Sequence, residues 1–216
     1  MRNKRLFIVV DGPSASGKNS IIEQVLKDLK KLQINAVSIE ETKEKSYNRK
    51  KILAAKAQGD KKVTETIIKE RKKLYQLKIL PQLLNGAIIL ANRGEPTTLG
   101  YQTLENHLTM EDVWNMHRKQ NIPLPNLVIL TNCSLKEAVR REGLRKASNE
   151  ENDKNFMSGK FTGGTSRKKI HANYKKVKDF LEEKGLPVIY LNTDTMDIAR
   201  ESKRIVNSIK IIWIKK

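Results

Sequence analysis

The chain has 216 residues, 38% hydrophobic and 31% charged, enough for one well-buried core under a heavily charged surface and argued here as one domain over residues 1–216. No apolar run is long enough to span a bilayer, and a single cysteine, Cys133, excludes an internal disulfide framework and fits a reducing, cytoplasmic setting. The formal net charge of +19 comes from lysines scattered through every segment, which speaks for compositional bias or attraction of anionic small molecules before nucleic-acid binding.

The first element is an apolar strand from Leu6 to Val10, followed by Asp11-Gly12-Pro13-Ser14-Ala15-Ser16-Gly17-Lys18-Asn19-Ser20. Gly12, Gly17 and Lys18 stand at the spacing of a phosphate-binding loop. Such a loop turns backbone N–H groups toward anionic oxygens, and the helix behind it adds its positive end. That helix is expected from Gly17 to Lys31, with Ile21, Ile22, Val25, Leu26, Leu29 and Leu32 as its apolar stripe. A second strand, Ile34 to Ile39, delivers the acids Glu40 and Glu41. The lysine-rich segment from Thr42 to Gly59 is partly helical, and helical spacing resumes with Val63, Ile67 and Leu74 until Pro81 kinks or restarts it.

Ala87 to Ala91 reads as a buried parallel strand that presents Asn92 and Arg93 at its carboxyl end. A helix follows from Thr109 to Lys119, with Val113, Trp114 and His117 on one face as packing residues. Leu127 to Leu130 is a fourth strand, and Ser134 caps a helix carrying Arg140, Arg141 and Arg145. The polar, glycine-bearing stretch of about 147–166 reads as a lid. A helix to Lys184, a fifth strand from Val188 to Leu191 and a last helix complete the chain. This alternation predicts an α/β three-layer sandwich with a five-stranded parallel sheet, whose ligands sit beyond the carboxyl ends of the strands.

The phosphate loop, Asn92-Arg93-Gly94 with Gly100-Tyr101-Gln102 behind it, Glu70-Arg71 ahead of Pro81, and Pro125-Asn126-Leu127 together resemble the thymidylate kinase family of P-loop nucleotide kinases. The resemblance implies ATP and Mg2+ as cofactors, a homodimer, and phosphorylation of a nucleoside monophosphate, with dTMP favoured. It also implies roles. Gly12, Ser14, Ala15, Ser16, Gly17, Lys18, Asn19 and Ser20 would hold the donor, with Lys18 bridging to the transferred phosphate. Arg93 would hold the acceptor phosphate, Arg71 its phosphate or base, and Tyr101 and Gln102 its sugar and base. Arg141, Arg145 or Arg167 would close over the transferring group.

The chain departs from the family at several of these positions. Ser14 stands where an acid is usual, Asn19 separates Lys18 from Ser20, and Glu40-Glu41-Thr42 replaces an arginine-bearing motif. Asn92 replaces an aspartate, so Ser20 and Asn92 would meet magnesium through water. Glu95, Glu40 or Glu41 are candidate replacement carboxylates. Two other readings follow. A deoxynucleoside kinase would use Glu40 or Glu41 as the base on a neutral hydroxyl. An inactive relative would bind phosphate or nucleic acid without turnover.

Overall fold

The computed structural model describes residues 5–104, 108–147 and 167–215. The five apolar runs form one parallel sheet: β1 (Leu6–Asp11), β2 (Ala36–Glu40), β3 (Ile88–Asn92), β4 (Leu127–Asn132) and β5 (Val188–Asn192), in the order β2-β3-β1-β4-β5. Each strand runs past its apolar stretch into polar residues, namely Asp11, Glu40, Asn92, Thr131 with Asn132, and Asn192. Pairing of Val10 with Asn92 and of Asn92 with Glu40 puts three strand ends in one row.

Helix α1 (Lys18–Lys31) lays its apolar stripe on the sheet and packs along α9 (Ile198–Lys215). Ile21, Val25 and Leu29 meet Leu6, Ile8, Val10, Leu191, Ile205 and Ile209 in one buried cluster. The predicted polar segment contains a short helix, α2 (Arg49–Ala54), and a following 3-10 turn. Then come α3 (Asp60–Leu74), a π turn at Tyr75–Ile79, and α4 (Leu80–Leu84). Pro81 lies at the first turn of α4, but the backbone at Ile79 and Leu80 is helical, so the chain neither breaks nor restarts there. The π turn just ahead of the proline accommodates its missing N–H.

On the other face, α5 (Glu95–Gln102), α6 (Met110–Lys119) and α8 (Arg167–Glu183) pack around Leu99, Val113, Trp114, Tyr174 and Leu181. Thr109 and Asp112 form a reciprocal capping box that fixes the start of α6. Helix α7 (Leu135–Ala147) begins at Ser134, whose hydroxyl accepts the Glu137 N–H at 3.2 Å. Residues 148–166 of the predicted lid lie outside the described residues. Among the described residues, no helix is long and apolar enough to cross a membrane.

Helix α5 was not legible as a helix. Its sequence, EPTTLGYQ, carries a proline, two threonines and a glycine, all poor helix formers. What starts it is a carboxylate from another strand. Asp11, fully buried, accepts the backbone N–H groups of Gly94 at 3.0 Å and Thr97 at 2.8 Å, as an N-cap side chain would. It also takes the Thr97 hydroxyl and the Tyr174 hydroxyl. Gly94 has no side chain to cap with, and a Cβ there would stand 2.9 Å from Val9.

Candidate active site

The loop after β1 wraps backward through residues in the left-handed region: Gly12 at φ +154°, Ala15 at 59° and Gly17 at +84°. A Cβ on Gly12 would fall 2.1 Å from the Thr131 carbonyl oxygen, so only glycine fits. Ser16 and Thr131 join through their hydroxyls at 2.7 Å, which ties the loop to β4. Helix α1 opens behind this loop with no side-chain cap and no acid in its first turn, so its positive end faces the loop uncompensated. Lys18 folds back, Nζ donating to the carbonyls of Gly12 at 2.9 Å and Pro13 at 2.8 Å. Ser14 and Gly17 are half-buried, Asn19 and Ser20 exposed.

Arg141 touches this loop directly. Its Nη1 donates to the Ala15 carbonyl at 3.2 Å and to Thr193 Oγ1 at 2.8 Å, while Nη2 donates to the Thr193 carbonyl at 2.6 Å. Nε donates to Glu137. Arg141 thus clamps the loop against the segment after β5. The side chain of Arg145 lies outside the described residues, and Arg167 is exposed and paired with Glu142.

The ends of β2 and β3 build the second half. Asn92 faces the loop and donates Nδ2 to Asn19 Oδ1 at 2.9 Å, leaving its own Oδ1 buried without a hydrogen-bond partner among the described residues. Arg93, one residue on, points the other way. It sits at φ 82°, a strained conformation for a non-glycine residue, and its Nη1 is also buried without a partner among the described residues. The Tyr101 hydroxyl lies beside the Arg93 guanidinium and the Ser14 backbone N–H; burial nevertheless pushes it above the usual phenol range. Tyr101 itself packs edge-on against Tyr174.

Arg71 is nearly fully buried at 5% exposure, and such a charge persists only if its donors are met. Glu41 meets two of them, at 2.6 Å to Nε and 2.9 Å to Nη2. Nη1 donates to Thr98 Oγ1 at 2.7 Å and to His117 Nε2 at 2.8 Å. One cavity is lined by Arg71, Arg93, Thr98, Tyr101 and Gln102, with Ile67 and Tyr47 as apolar walls. Four of the predicted acceptor residues therefore converge. Glu40 and Asn92 do not line that cavity; Glu40 is a half-buried strand end paired with Lys43 at 3.0 Å. Strand alternation explains both absences, because Glu41 and Arg93 occupy the next positions.

Sequence reasoning missed Asp11 as an anchor and took His117 as packing alone; it is buried as expected, but it also bonds Arg71. It also missed Thr98, whose neighbourhood gave no motif. Glu95 is buried at the start of α5, and Arg118 donates to it at 2.7 Å. Burial still raises its carboxyl to about 7, against the attraction of Arg118 and Arg71. Among the described residues, no group of three or more His, Cys, Asp or Glu side chains is arranged to hold a metal.

No curated protein matches the chain significantly. The family model described as thymidylate kinase matches residues 10–192, from the end of β1 through β5. A match over most of the chain, on a fold and phosphate loop of the same kind, makes the chain a member of the thymidylate kinase family of nucleoside monophosphate kinases.

Proposed function

We propose that this phosphotransferase moves the γ-phosphate of ATP to dTMP, giving dTDP and ADP. The observation that carries the choice of acceptor is the Arg71 guanidinium in the cavity wall. Arg71 can only donate, whereas Thr98 Oγ1, which accepts from it, keeps both a hydrogen and a lone pair. A fixed donor at this point suits a base edge bearing a carbonyl, as in thymine, and opposes the amino group of cytosine or adenine there, while Glu41, Thr98 and Gln102 carry the acceptor oxygens of the lining. Membership of the family supports the thymine nucleotide among carbonyl-bearing bases.

Arg71 has no free two-donor edge, because Glu41 occupies the Nε side and Nη1 is doubly used. It therefore reads the base, and the acceptor phosphate goes to Arg93, whose Nη1 is unmet. The ionised acceptor oxygen attacks the γ-phosphorus while the bond to the β-bridging oxygen breaks, and ADP leaves with that electron pair. No proton has to be removed first, so no general base is required. Lys18, released from Gly12 and Pro13, would follow the transferring group, and the backbone at the start of α1 would hold the donor phosphates.

Magnesium, when bound with ATP, would neutralise charge on the donor phosphates. Ser20 and Asn92 fit an ion held through water, since Asn92 Oδ1 is a buried acceptor with no partner among the described residues. A cytoplasmic homodimer accords with the family.

The deoxynucleoside kinase reading needs a free carboxylate near the acceptor. Glu41 is committed to Arg71 and Glu40 to Lys43, which weighs against it. The test is a coupled ADP-release assay over nucleosides and their monophosphates. Turnover of dTMP above dCMP and dAMP is expected. Turnover of thymidine alone supports the second reading, and salt-sensitive oligonucleotide binding without any turnover supports an inactive relative.

A further inference from the structure

Three side chains hold the Arg71 guanidinium through four hydrogen bonds, and one of them fixes its own protonation by elimination. His117 is fully buried, with Nδ1 at 2.9 Å from the Val113 carbonyl and Nε2 at 2.8 Å from Arg71 Nη1. A carbonyl only accepts and a guanidinium only donates, so the hydrogen sits on Nδ1 and Nε2 offers its lone pair. The ring is therefore neutral. A second hydrogen would set N–H against N–H. The charged groups around the ring are Arg71 from α3, Arg118 from α6 and Glu95 from α5, whose Oε1 lies 3.6 Å from Nδ1. Burial, then Arg71, push its ionisation well below the usual histidine range, in the same direction as the geometry.

A guanidinium has five N–H donors. Glu41 takes the Nε hydrogen and one of Nη2, and Thr98 and His117 take both of Nη1. One Nη2 hydrogen is left among the described residues. We propose that His117 is a positioning residue for acceptor recognition, locked as the Nδ1–H tautomer so that Arg71 offers a single N–H in a fixed direction to the acceptor base. The recognition half of this statement rests on the nucleotide kinase reading with Arg71 at the base; the tautomer half does not. Without His117 one Nη1 hydrogen loses its acceptor and one of the four bonds that orient the guanidinium is gone, so the penalty falls on binding rather than on phosphoryl transfer.

The test pairs two variants with one spectroscopic measurement. In His117→Gln the side-chain oxygen replaces Nε2 as the acceptor, whereas His117→Leu fills similar space with none. The Leu variant is expected to raise the acceptor KM about tenfold or more, with kcat held within about threefold, and the Gln variant to restore most of the loss. Unchanged KM in both variants overturns the proposal, as does a Gln variant no better than Leu. Ring 15N NMR of the wild-type chain needs neither turnover nor a stable variant. A neutral Nδ1–H ring that does not titrate between about pH 5 and 8 supports the proposal, and an Nε2–H or titrating ring overturns it. An enzyme inactive on every monophosphate would sink the dTMP reading while the NMR result still decides the tautomer.

Discussion

The carboxylate of Glu41 meets the guanidinium of Arg71 edge to edge, both nearly fully buried, at 2.6 and 2.9 Å. Little of either side chain is open to solvent. Removing one partner of a buried pair strands the other, at about 3–5 kcal/mol. Glu41→Ala is therefore expected to lose that much stability in urea titrations, and a loss below about 1 kcal/mol, the scale of an exposed pair, would mean the pair is solvated.

Lys18 and Arg141 both touch the phosphate loop, and their variants should fail differently. Lys18→Ala removes a mobile charge from the transferring group and is expected to lower kcat by about 10²–10³-fold. Circular dichroism should show the fold retained.

Arg141 holds the Ala15 carbonyl and Thr193, contacts that favour a role in shaping the loop. Arg141→Ala is expected to raise the ATP KM several-fold and to lower the melting temperature. A loss confined to kcat would instead place Arg141 on the transferring phosphate.

Asn92 puts an amide where the family has a carboxylate, hydrogen-bonded to Asn19. Asn92→Asp adds a charge next to the donor phosphates, and the Asn19 amide can turn to donate to it. The magnesium concentration for half-maximal rate is expected to fall. No change would mean that this position does not face the ion.

Glu95 makes a pH prediction. Its folded carboxyl ionises at about 7, whereas an unfolded glutamate ionises near ~4.3. The folded state thus keeps a proton that the unfolded state releases as the pH rises through this window. The group's contribution is fully present below the lower value and is lost on approaching the upper one, at a slope of at most about 1.4 kcal/mol per pH unit. Glu95→Gln should gain stability relative to wild type between these values, measured by urea titration at each pH. A pH-independent difference would contradict the buried-carboxyl account.

The parallel sheet was readable because buried strands are continuous apolar runs, and β1, β3 and β4 are fully buried or nearly so. Those same runs end too early. Asp11, Asn92 and Asn132 close the strands with polar side chains whose partners lie far along the chain, at Thr97, Asn19 and His171. Hydrophobicity stops where the site begins. Arg71 was reached through motif spacing, but Glu41, Thr98 and His117 come to it from three other elements, with no periodicity linking them. Helix α5 was hidden for a related reason, since its cap is Asp11 on β1.

We propose phosphoryl transfer from ATP to dTMP at the cavity lined by Arg71 and Arg93. The most direct measurement is 31P NMR of the purified chain with ATP, magnesium and dTMP. The expected result is the paired growth of ADP and dTDP resonances as ATP and dTMP decline, absent in the Arg93→Ala variant. ATP and dTMP unchanged under conditions where the chain is folded, or phosphate appearing on thymidine but not on dTMP, would contradict it.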